Sequence, residues 1–252
     1  MFVEGKRSKS PDLQTKIRAV FCPMIVHLCI GSYYCFSNIN PYVSAYLNSK
    51  SKEGVLETDT LLVMPVWLVT QSISAILSVR IADKIGYWTL NLLAFSSFAL
   101  VNLLASYVTT MFGLVFVYGI LAGITIGCGY LPALFISWTY FPNKKSIVTG
   151  AILFWSGVSG VILGPVTTYI ANPTNVEIRK IRESSEVYEN VPKLFRFLAI
   201  YFGTIAAIGC LLQPLPYKPE YSEETNVSSQ EILVRRASLR DIAGNESPKV
   251  IR

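Results

Sequence analysis

The chain has 252 residues, 52% of them hydrophobic and only 15% charged, with a mean hydropathy of +0.44 and a formal net charge of +6. A soluble domain carries about 25% charged residues, so the deficit speaks against an ordinary soluble protein and for a bilayer as the solvent. No basic patch interleaved with aromatics accompanies the positive balance, which is therefore read as an orientation signal and not as a nucleic-acid footprint.

In chain order, a polar arm over residues 1–18 precedes six apolar runs, near 19–47, 60–79, 88–107, 111–140, 146–170 and 194–214. Each approaches the roughly 20 residues needed to cross a hydrocarbon core. Every Lys, Arg, Asp and Glu falls outside these runs or at their margins. A charge at mid-bilayer costs at least about 2.5–3.5 kcal/mol, so this segregation is what integral helices require. A large soluble protein with buried helices fits six long uncharged runs poorly. The arm and the length of the first run also speak against a cleaved secretory leader.

The first run is the most polar. His27, Gly31, Tyr34, Asn38 and Tyr42 follow one another at steps of four, three, four and four, which places them on one helical stripe. A lipid-facing Asn would leave its amide unpaired. The stripe therefore either makes hydrogen bonds inside a static bundle or lines a substrate cavity. His27 is the sole histidine of the chain. It is a candidate for proton coupling, against the plainer role of satisfying a neighbouring carbonyl.

The second run adds Gln71 and ends in the charged turn Arg80, Asp83, Lys84, Gly86 before the third run begins. The fourth run has Gly119, Gly123 and Gly127 at steps of four, with Tyr130 and Trp138 beyond them; Trp138 reads as an interfacial belt residue. The fifth carries Ser156, Gly160 and Gly164 at the same step, together with Gly150, Gly157 and Trp155. Small residues every fourth position let helix backbones approach closely in lipid.

The five cysteines all lie inside apolar runs and read as packing residues, with neither disulfide nor metal spacing. No catalytic triad, carboxylate pair or phosphate-cradling loop is present, so an enzyme, a cofactor and a bound metal are not expected.

After residue 214 the composition turns polar and rich in Pro and Ser, which reads as a disordered tail over 215–252. Within it, "EILVRRASLRDI" either coils into an amphipathic helix on anionic lipid or stays disordered. "RRAS" makes Ser238 a candidate phosphosite. Fifteen basic residues lie on the side of the two termini against seven on the other. The positive-inside rule then places both termini in the cytosol; which membrane is not fixed.

The turn "VRIADKIGY", residues 79–87, resembles the G-x-L-A-D-R-x-G-R turn of the major facilitator superfamily. Asp83 and Gly86 match, Lys84 stands for the Arg, Val79 for the leading Gly and Tyr87 for the final Arg. "GILAGITIGCGYLPALFISWTYFPNKKSIVTGAILFWSGVSGVILGPV", residues 119–166, is similar to the fourth and fifth helices of its oxalate/formate antiporter and monocarboxylate transporter branch. The resemblance covers about residues 18–214 and is strongest over 113–166.

It implies an all-α membrane protein matching the amino-terminal six-helix half of a major facilitator transporter, built as two three-helix repeats of inverted topology. The implied activity is secondary transport of a small organic anion, with Tyr34, Asn38, Gln71, Tyr130 and Trp155 as cavity-lining candidates. Asp83, Lys84 and Gly86 would form a gating turn. Family members carry two such bundles, so the chain is expected to act as a half-size unit or to be a fragment of a longer product; in the first case a second six-helix bundle, from another copy or a paralogue, is the expected partner besides lipid. The glycine-rich fifth helix would face it. The competing expectation is a truncated, non-transporting protein that associates with full-length relatives and modulates them.

Overall fold

A computed structural model describes residues 11–51, 54–177, 180–181 and 184–217. Ser238 and the "EILVRRASLRDI" segment lie outside these residues. Six helical segments are long and apolar enough to cross a membrane: α1 (Leu13–Ser51), α2 (Glu57–Ile85), α3 (Tyr87–Ala105), α4 (Met111–Tyr140), α5 (Pro142–Ala171) and α6 (Ser185–Leu212). No strand occurs among the described residues.

Most of these segments outrun the apolar runs that announce them. Hydropathy ends at the first charge, whereas backbone hydrogen bonding continues through Lys16, Arg18, Arg80 and Lys193. Side chains of that length carry their charge to the membrane surface while their stems stay with the helix.

Local chemistry sets the corners. Gly86 ends α2 at φ 91°, a region that L side chains rarely enter, and its N–H closes on the Ala82 carbonyl at 2.8 Å. Thr110 starts α4 by accepting the Gly113 N–H at 3.2 Å. Asn172 closes the corner after α5 from both ends of its amide, donating to Val176 O at 2.9 Å and accepting from Val176 N at 2.8 Å. Within α4, residues Val115–Leu121 form a wider π-helical turn.

The packing partners repeat. α1 lies against α5 and α6, while α4 lies against α2 and α3; α1 meets α4, and α3 meets α6. Exchanging α1 with α4, α2 with α5 and α3 with α6 reproduces this pattern. A three-helix unit reverses the direction of the chain across the bundle, so its repeat begins upside down. The fold is two three-helix repeats of inverted topology.

The core between them is aromatic. Trp67 sits among Tyr118, Phe98 and Tyr33 at 5.2–5.9 Å between ring centres, and Phe98 meets Phe202 at 4.9 Å. Lipid tails are as apolar as these rings, so shape complementarity rather than water exclusion holds the cluster.

At the end of the bundle where α1 starts, the segment following α6 is strapped across the other helices. Arg18 donates twice to the Leu212 carbonyl, at 2.6 and 2.9 Å. Trp88 donates to Cys210 O at 2.8 Å and Asn91 Nδ2 to Gln213 Oε1 at 3.1 Å. Tyr140 reaches Leu215 O at 2.7 Å, and the Tyr217 N–H reaches Thr139 Oγ1 at 2.9 Å. Helices α1, α3, α4 and α6 thus share one anchored end.

Candidate functional site

Helices α1 and α5 run parallel in a constant register. The Gly31 Cα lies against the Ser156 carbonyl and the Ser159 side chain; one turn on, Tyr34 packs under Gly160, and then Asn38 under Gly164. A Cβ at Gly160 would sit 3.2 Å from Tyr34 Cβ, and one at Gly164 would sit 2.9 Å from Asn38 Nδ2. Ser159 Oγ donates across the seam to Leu28 O at 2.7 Å. The fifth-helix glycines divide: Gly160 and Gly164 meet α1, while Gly150 and Gly157 have open space before them.

The polar stripe of α1 is not uniformly open. Tyr34 is 57% exposed, and Ser37 and Asn38 are exposed beside it. His27 is 0% exposed and Tyr42 6%. Farther toward the N-terminus, Leu13, Ile17 and Phe21 are exposed again. Along its length α1 therefore has two open stretches, with a sealed pinch at His27 and Gly31 between them. The regular spacing of the stripe did not reveal this, because α4 and α5 do the closing: Tyr130 stands 5.7 Å from the His27 ring, and Ser156 and Ser159 cover Gly31.

His27 has a defined tautomer. Its Nδ1 lies 2.8 Å from the Pro23 carbonyl, which can only accept, so Nδ1 carries the proton. Nε2 is buried and without a hydrogen-bond partner among the described residues. Ser156 Oγ is likewise buried and unpartnered. An orphaned buried polar atom costs about 1–3 kcal/mol. Two of them thus lie on α1 and α5 next to the pinch.

The remaining candidates are reached through rings. Tyr34 meets Tyr33 edge-on at 5.7 Å, and Tyr33 meets Trp67 at 5.9 Å. The Trp67 indole donates to Gln71 Oε1 at 3.0 Å. Gln71 on α2 is thereby linked to the open stretch of α1. Tyr130 is placed at the pinch instead, and Trp155 stands half-buried on α5, next in sequence to Ser156. Tyr33 reads in the sequence only as a residue flanking the polar stripe, and Trp67 was not singled out, since an aromatic in an apolar run carries no mark of its neighbours. Ser156 appears there only as a small packing residue.

The corner between α2 and α3 is exposed. Asp83 Oδ1 accepts from Tyr87 OH at 2.9 Å, Lys84 is exposed, and Gly86 makes the reversal. At the symmetry-related seam, Gly119, Gly123 and Gly127 of α4 face α2. A Cβ at Gly119 would come 3.0 Å from Val66 Cγ1, and one at Gly123 would come 2.7 Å from Trp67 O. A Cβ at Gly127 would run into Ser74 Oγ and Gln71 O. No group of His, Cys, Asp and Glu suited to a metal ion occurs among the described residues.

Residues 25–245 match the family model described as Major Facilitator Superfamily. The chain is also 24% identical over 251 residues to the Apicoplast pyruvate carrier 1 of Toxoplasma gondii, an alignment covering 80% of this chain and 46% of that protein. It thus spans about half the length of the curated relative that it matches. With six membrane-length helices in two inverted repeats, and a family match over most of its length, the chain belongs to the major facilitator superfamily.

Proposed function

We propose that the chain works in secondary transport of a small organic anion of the monocarboxylate or oxalate/formate type. The observation that carries this reading is Asn38, exposed on a membrane-length helix with no side-chain hydrogen bond among the described residues, beside the exposed Tyr34. A bare amide against hydrocarbon is costly, so this stretch suits a water-filled cavity or a polar solute. The name of the relative, a pyruvate carrier, agrees with a small carboxylate.

Tyr34, Asn38 and Gln71 line the cavity in this reading, with Tyr130 and Trp155 on its α4 and α5 flanks. His27 takes a proton on Nε2 at the pinch and couples the anion to it. Asp83, Lys84 and Gly86 form the gating turn. Alternating access requires one bundle to rock against another around a midplane site. The working unit therefore includes a second six-helix bundle. Both termini lie in the cytosol.

Proteoliposomes preloaded with unlabelled pyruvate, lactate, oxalate or formate test the proposal by counterflow of the labelled anion, alongside crosslinking of the reconstituted protein. Exchange of at least one anion well above empty liposomes is expected, and Asn38→Leu should abolish it. A strictly monomeric protein that exchanges none of the four would overturn the proposal and leave the modulating role.

A further inference from the structure

Gln71 is fixed in a way that Tyr34 and Asn38 are not. The Trp67 indole N–H can only donate, so the Gln71 atom that it meets at 3.0 Å is the amide oxygen. Trp67 is 1% exposed and lies among Tyr33, Phe98 and Tyr118, which hold the indole in place. With Oε1 tied down, the NH2 group of Gln71 points away from the indole. It has no partner among the described residues, yet, unlike His27 Nε2 and Ser156 Oγ, it is not sealed from the surface.

Helix geometry says which way that group looks. Met64, Trp67 and Gln71 share one face of α2, within about 60° at 3.6 residues per turn. The first two look across at α1: Met64 Sδ accepts from Ser37 Oγ at 3.6 Å, and Trp67 meets the Tyr33 ring at 5.9 Å. These pairs run in opposite directions along the two chains, so Gln71 falls at the level between Tyr33 and the His27 pinch. The neighbouring polar groups are adaptable. Neither the Tyr34 hydroxyl nor the Asn38 amide makes a hydrogen bond among the described residues. A hydroxyl rotates and an amide turns over, so each can present a donor or an acceptor. Gln71 presents only a donor.

We infer that Trp67 is a positioning residue that holds the Gln71 amide as a fixed donor, and that this donor selects small carboxylates with an acceptor oxygen on the second carbon over those with an ammonium there. Pyruvate and oxalate carry such an oxygen. Alanine carries three N–H donors and a positive charge, which would meet the Gln71 NH2 donor to donor. Two facing donors leave hydrogens without partners, a sharper penalty than a mismatch against an apolar wall. The inference rests on the proposed transport of small organic anions and narrows their class.

The test uses the full chain in nanodiscs of zwitterionic lipid, titrated with pyruvate, oxalate and L-alanine and followed by ligand-detected saturation-transfer NMR. Pyruvate and oxalate should bind saturably, and alanine about tenfold more weakly or worse. Trp67→Phe removes the indole N–H and lets the Gln71 amide turn over. Pyruvate should weaken, alanine should strengthen, and the preference should shrink to about twofold or less. Phe also leaves a gap in the aromatic cluster. Benzothienylalanine at position 67, the sulfur isostere of Trp, removes the N–H while keeping the shape. It should reproduce the loss of preference with an unchanged Tm, which a merely structural role for Trp67 would not do.

Alanine binding as tightly as pyruvate to the unaltered protein would overturn the assignment, as would a preference that survives in the isostere. Equal weakening of both ligands, or no saturable binding of pyruvate and oxalate, would overturn it too. Pyruvate counterflow in proteoliposomes of the same protein separates the two claims. Exchange whose preference survives the isostere sinks the positioning role alone; selective binding that the isostere abolishes, with no exchange, sinks the transport reading alone.

Discussion

Along α2 and α4, the hydroxyls of Thr70 and Ser74 reach the carbonyls of Gly119 and Gly123 at 3.1 and 3.3 Å, and three glycines let the backbones close. Along α1 and α5, the symmetry-related seam between the repeats, Ser159 makes the same kind of bond to Leu28, but among the described residues His27 Nε2 and Ser156 Oγ find no partner, and Tyr34 and Asn38 open outward. Two interfaces in one symmetric frame have thus been put to different use. The first leaves no buried polar side-chain atom unpartnered among the described residues. The second keeps unspent hydrogen-bonding capacity where a bundle can offer it to a solute, at the cost of leaving buried polar atoms bare.

The strongest way to break this contrast is to overpack the saturated seam. Gly123→Leu should prevent recovery of folded, monodisperse protein in detergent, because its side chain meets Trp67 O and Thr70 with no space to shift. Fluorescence-detected size exclusion would read the loss. A normal elution profile would show the seam to be softer than its geometry.

At the open seam, loss should fall on activity rather than on folding. His27→Gln should cut pH-driven uptake at least tenfold while leaving anion counterflow measurable, since exchange at equal pH needs no net proton movement. Equal losses of both would assign His27 to packing or to anion binding instead.

Smaller effects sharpen the picture. Trp88→Phe removes one hydrogen bond of the strap and should lower stability by about 0.5–1.5 kcal/mol in thermal or chemical unfolding. Gly157→Ala has the opposite sign. Its Cβ enters open space, so the gain in helix propensity should stabilise the protein by about 0.5–1 kcal/mol. Destabilisation there would mean that another surface covers α5 at that point.

Much of the frame was legible from charge placement, because an ion in hydrocarbon is too costly to be ambiguous. The Gly86 corner was legible for a similar reason: few residues other than glycine take its backbone angle. The strap was not. In the sequence Arg18 belongs to the basic arm and Trp88 carries no mark of its partner, and only the arrival of α6 beside them supplies the Leu212 and Cys210 carbonyls that they bind. Nor was the division of the α1 stripe legible, since periodicity fixes which residues share a face but not what lies opposite.

The sequence alone determined that six helices cross a bilayer, where they turn, and which positions are small enough for backbones to touch. Those are properties of each segment against its solvent. Tertiary structure decided that Gly160 and Gly164 receive Tyr34 and Asn38, that His27 is sealed while Asn38 is open, and that Gln71 connects to them through Trp67. Each of these depends on which helix arrives next to which, and in lipid that choice is made by shape and hydrogen bonding between distant segments, with no hydrophobic signature to announce it.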